Sequence, residues 1–135
     1  MARLAMVLGT LAMLTGVGAG AFGAHALRDV LGSEFSAVYE TGVRYQLVHG
    51  LALLYVSLAA ERRPGQAWKA VTWLFGLGIL LFSGSLYALS LSGLRPFGAI
   101  TPAGGACLLA GWVVLLGSAW RQRIPAAGSE PGGAG

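Results

Sequence analysis

Four uncharged apolar runs constrain this chain more than anything else in it. Leu4–Leu27 is interrupted only by His25, Ala70–Leu94 and Pro96–Trp120 carry no charge except Arg95 at the turn, and Leu47–Ala60 is shorter. A hydrocarbon layer about 30 Å thick needs about 20 helical residues, so three of the runs are long enough to span it unaided. The second spans only if its helix takes in Val43, Arg44, Tyr45 and Gln46 as well. Lipid offers no partners to backbone N–H and C=O groups, so such runs have to be helices whose hydrogen bonds are internal. The fold class that follows is all-α: a polytopic membrane protein with four transmembrane helices in a compact bundle, spans at about 4–27, 42–60, 70–92 and 97–120.

Composition agrees. Only 10% of the 135 residues are charged, against about 25% in a typical soluble domain. The net charge of +4 does not point to nucleic acid, because the basic residues flank the runs instead of forming a patch. The one cysteine, Cys107, excludes a disulfide framework. Residues 1–124 form the transmembrane domain, and the Gly/Pro-rich tail 125–135 has nothing large and apolar to bury and reads as disordered.

Between the runs the local chemistry marks breaks. Gly32-Ser33 opens a helix. From Glu34 to Gly42 apolar residues recur at helical spacing, an amphipathic lead-in to the second span. Glu61–Gly65 and Ser92–Pro96 combine charges with the strongest helix breakers. Trp68 and Trp120 sit where interfacial aromatic residues belong. With four spans, Arg3, Arg62, Arg63, Lys69, Arg121 and Arg123 share one side, and Arg28, Arg44 and Arg95 the other. The six-to-three bias places both termini in the cytoplasm, the protein being multi-pass in the cytoplasmic (inner) membrane.

The stretch from Gly16 to Leu27 allows three readings. Gly18, Gly20 and Gly23 spell a dinucleotide-binding G-x-G-x-x-G, but no strand-helix alternation surrounds them. Ala24-His25-Ala26 resembles a signal-peptidase site, but the apolar segment before it exceeds the usual 7 to 15 residues. Helix packing suits most residues: Ala12, Gly16, Gly20 and Ala24 are four apart, a small-residue ridge on which membrane helices approach closely. Ala103, Cys107 and Gly111 repeat it in the fourth span, as do Gly104, Gly111 and Ser118 at seven.

Polar groups at membrane depth are costly and therefore candidates for function. His25, Glu40, Arg44, Tyr45, His49, Ser83, Ser85 and Thr101 all fall in the outer half of the spans. They are expected to form one cluster there, with Glu40 beside Arg44 and a close backbone approach at Ser83-Gly84-Ser85. No catalytic constellation accompanies them: no paired carboxylates, no H-E-x-x-H, no G-x-S-x-G. Two histidines fall short of a zinc site. No enzyme, metal or cofactor is expected. The favoured reading is a non-enzymatic component that binds a lipid or a partner. The alternative is a small transporter or channel subunit using the His/Arg/Ser cluster for protons or metal ions. Its partners are the lipid bilayer and, within it, a second copy or another membrane protein.

"GAFGAHALR", "YETGVRYQLVHGLALL", "FSGSLYALSLSG" and "FGAITPAGGACLLAGW" together resemble the domain of unknown function 423 family, small four-helix membrane proteins that include the animal transmembrane protein 256. The resemblance covers roughly Leu4 to Trp120 in the family's order and spacing. It implies a four-span integral membrane protein and assigns no activity.

Overall fold

α1 (Ala2–Phe22) runs without a charged residue after Arg3 and ends by widening into a π-helical turn, Gly23–Leu27. Val30 and Leu31 donate to the Leu27 carbonyl, and Gly32, at φ +67°, reverses the chain. α2 (Gly32–Arg62) absorbs both the amphipathic lead-in and the second apolar run in one 31-residue helix, about 46 Å long at 1.5 Å per residue. Pro64-Gly65 stops it, and the Trp68 indole N–H donates to the Arg63 carbonyl at 2.6 Å across the turn. Trp68 is buried there. α3 (Gln66–Ser92) ends on Gly93, whose left-handed φ of +69° lets its N–H reach the Leu89 carbonyl. A 3-10 turn (Arg95–Ala99) with Pro96 in its first turn leads into α4 (Thr101–Gln122). This computed structural model describes residues 1–27 and 29–122. The tail from Pro125 lies outside the described residues.

Among the described residues there is no strand, and all four helices are long and apolar enough to cross a membrane. The all-α, four-span architecture is therefore the one the apolar runs dictate. The helices pack in chain order: α1 on α2, α2 on α3, α3 on α4, with α1 meeting α3 only marginally. α2 and α3 form the centre and α1 and α4 the flanks, so α2, the least apolar span, is also the most enclosed. One buried cluster of Leu53, Val56, Val71, Phe75 and Leu108 fills the half nearest the α2–α3 turn, and a smaller one of Leu27, Tyr39 and Val43 the half nearest the α1–α2 turn. Leu14, Leu80, Leu109 and Val113 are each more than two-thirds exposed on the flanks, where lipid is their solvent.

The small-residue ridges are only partly as expected. Ala12 and Gly16 are buried and a methyl on Gly20 would meet Val43 at 3.3 Å, but Ala24 is exposed, and at its other end the stripe continues through Gly9 and Ala5. In α4 Ala103 is exposed and Cys107 half-buried; the contact stripe is Gly104, Leu108, Gly111. A strict four-residue step drifts about 40° per step round a helix of 3.6 residues per turn, so a contact stripe alternates threes and fours. A methyl on Gly104 would lie 2.7 Å from the Phe82 Cα, and one on Gly111 2.5 Å from the Phe75 ring. The close backbone approach of α3 and α4 is thus at Gly104, not at Gly84, which has nothing within 4 Å and sits in an unbroken helix.

Candidate functional site

Polar side chains at mid-height tie the four helices together. In α2 Gln46 is buried and makes three bonds. Its Nε2 donates to the Ala12 carbonyl at 2.9 Å and to Thr15 Oγ1 at 2.8 Å, and its Oε1 accepts from the Tyr87 hydroxyl at 2.8 Å. One amide thereby links α1, α2 and α3. One turn farther than Gln46 from the α1–α2 loop, His49 is 4% exposed and links α2 to α4: the Trp112 indole N–H donates to its Nε2 at 3.0 Å. An indole nitrogen can only donate, so His49 Nε2 is the acceptor and the ring proton sits on Nδ1, which donates to the Tyr45 carbonyl at 2.7 Å. His49 is therefore a neutral imidazole with both nitrogens engaged. Phe75 packs edge-on to it with centroids 5.3 Å apart. A proton added to Nε2 would face another N–H.

Two serines serve two different interfaces. Ser83 donates to the Gly42 carbonyl at 2.8 Å, fastening α3 to α2, and Ser85 shares a 2.8 Å bond with Thr101, fastening α3 to α4. Among the described residues no buried side-chain N or O atom lacks a hydrogen-bond partner, as lipid-facing helices require, because nothing outside can supply one.

The single outer-half cluster does not form. His49 lies near mid-height, level with Phe75 in α3 and with Trp112 at the middle of α4. His25 is exposed on the π-helical turn, 13 residues farther along the chain than Ala12, which meets Gly50 beside His49, a height difference of about 20 Å. Arg44 and His49 are five residues apart, about 140° round the helix, and Arg44 is exposed. Glu40 is exposed and forms no ion pair with Arg44. Tyr45 is 42% exposed and packs on Phe82. What Arg44 and Glu40 do share is a cleft between the end of α1 and the start of α2, in two adjoining recesses of about 600 and 400 Å³. A third recess, an apolar groove of about 490 Å³, opens sideways between α1 and α3, where those helices hardly touch, with Gln46 and Tyr87 at its base. Among the described residues no three His, Cys, Asp or Glu side chains converge as a metal site would need.

The family profile described as Protein of unknown function (DUF423) matches residues 19–105, from the end of α1 to the start of α4. The chain belongs to that family. A UPF0382 membrane protein of Staphylococcus haemolyticus is 41% identical over 120 residues, 88% of this chain and 97% of its own. The UPF0382 membrane protein YwdK of Bacillus subtilis is 39% identical over 82% of this chain and 91% of its own. The UPF0382 inner membrane protein YgdD of Escherichia coli is 42% identical over 79% and 82%. No solved structure matches. This DUF423 member is accordingly a four-span membrane protein of a family whose molecular function is unassigned.

Two residues of the mid-height network escape a reading of the sequence. Gln46 is visible as a polar residue at membrane depth, but Thr15 reads as bonding back to its own turn, which it also does through Leu11, and Trp112 as one more apolar aromatic. Their pairing depends on how neighbouring helices are rotated against each other, which no single span records.

Proposed function

We propose that this protein is a non-enzymatic component of the cytoplasmic membrane that binds a phospholipid on its flank, with both termini in the cytoplasm. The observation that carries this reading is the contrast between a closed interior and open sides. Among the described residues the buried polar side-chain atoms, both nitrogens of His49 included, are all spent on partners within the protein, while the sizeable recesses open laterally, where lipid is the molecule at hand. The inner-membrane label of the Escherichia coli relative supports the compartment, and the six-to-three distribution of Lys and Arg supports the orientation. A transporter or channel subunit built on His25, Arg44 and His49 has less support, because these three do not line a common path.

Reconstitution in vesicles tests the reading. Proteoliposomes loaded with a pH indicator or a zinc indicator are expected to leak no faster than empty ones. A saturable flux abolished by His49→Ala would overturn the proposal and favour the transporter. Reporter fusions after Gly135 and within Gly32-Ser33 are expected to report opposite sides, the former cytoplasmic.

A further inference from the structure

We infer that the cleft between the end of α1 and the start of α2 is a site for a phospholipid whose headgroup carries a primary ammonium, with the phosphate on Arg44 and the ammonium on Glu40 and Asp29. This rests on the lipid-binding reading above and names the headgroup.

The walls explain the cleft. Gly20, Gly23 and Ala24 leave the α1 side nearly bare, and Tyr39 closes the floor: its ring lies against Gly23, where a methyl would meet it at 2.6 Å, and its hydroxyl donates to the Ala19 carbonyl at 3.1 Å. The recess nearest the turn is bordered by Asp29, Ser33, Ser36 and Glu40, and the adjoining one continues past Glu40 to Arg44 and Leu47. Oppositely charged residues four apart on a helix normally pair, yet Glu40 and Arg44 do not. Both border the cleft, and neither forms an ion pair with another of the described residues.

Their depths are those of a phospholipid. The Ala2–Leu27 helix has 26 residues, about 39 Å against about 30 Å of hydrocarbon, so each end stands only slightly clear of the apolar layer. Val43, next to Arg44, faces Gly20, seven residues short of Leu27 and so about 10 Å below it. Arg44 therefore starts inside the apolar edge and extends toward the phosphate level. Glu40 lies one turn, about 6 Å, nearer water, and Asp29 beyond it at the turn. A guanidinium deep and carboxylates shallow match a phosphate deep and an ammonium shallow. An anionic glycerol headgroup would leave both carboxylates without a cation, and a quaternary ammonium has no N–H to donate to them.

The test uses the full chain in nanodiscs of equal parts phosphatidylethanolamine, phosphatidylglycerol and phosphatidylcholine, with retained lipid read by native mass spectrometry. Phosphatidylethanolamine is expected to be enriched about two- to fivefold over each competitor, the range of exposed ion pairs. Glu40→Gln combined with Asp29→Asn should abolish that preference while phospholipid is still retained. Arg44→Gln should lower retention of all three, and Arg44→Lys should restore most of it. All three positions are exposed, and an unchanged melting temperature checks that each variant is folded. Equal retention of the three lipids by the parent, or a preference surviving the double carboxylate replacement, overturns the headgroup site and leaves lipid binding standing. Retention of no lipid at all overturns both.

Discussion

His49 and Trp112 show how a residue can look functional and be spoken for. The imidazole is the acceptor of one interhelical bond and the donor of one bond to its own turn. Interhelical hydrogen bonds in membranes average about 0.6 kcal/mol and reach about 1.7. Trp112→Phe should therefore lower stability by that amount, seen as an earlier thermal transition in detergent, and adding His49→Phe to it should cost little more through the lost bond. Fully additive losses in that double-mutant cycle would show that the bond contributes nothing. Gln46→Leu removes three bonds spread over α1, α2 and α3 and should cost more than Trp112→Phe in the same melt. At this scale the sequence is legible as to which residues are polar at depth, and illegible as to which of them meet. Ser83 and Ser85 are two residues and about 200° apart on the helix, which is why one reaches α2 and the other α4. The same angular count separates Arg44 from His49 and undoes the single cluster.

Helix ends are written in local chemistry, and they were readable: Pro64-Gly65 after α2 and Gly93 before Pro96 act through backbone geometry that needs no neighbour. Helix faces depend on a partner. Counting small residues by fours finds Ala12, Gly16 and Gly20 but overshoots to Ala24 and takes Ala103 for Gly104 in α4, where the seven-residue spacing of Gly104 and Gly111 marks the face that packs. The packing of Gly104 on Phe82 has a measurable consequence. Gly104→Ala would press a methyl on the Phe82 backbone, which cannot rotate aside, and overpacking of this kind costs about 1–3 kcal/mol. Gly117 is in the same helix with nothing within 4 Å, so Gly117→Ala should be neutral or stabilise by up to about 1 kcal/mol. The opposite order of the two melting temperatures, or equal values, would show that α3 and α4 are not in contact at Gly104.

The whole molecule is a layered set of four helices in which the central pair is tied by polar bonds and the flanking pair exposes leucine, valine and tryptophan to lipid. Four spans were legible from the apolar runs because a hydrocarbon layer imposes a minimum length; the recesses were not, because they arise where α1 fails to close on α3 and where Gly20 and Gly23 thin the α1 wall. A closed interior with open flanks predicts binding from the side and no passage through the middle. Native mass spectrometry of the full chain, extracted from its own membranes in mild detergent, tests this most directly. The expected spectrum contains the protein mass with retained phospholipid, lost on harsher activation; bare protein under the gentlest conditions, together with His49-dependent ion flux in vesicles, would contradict it.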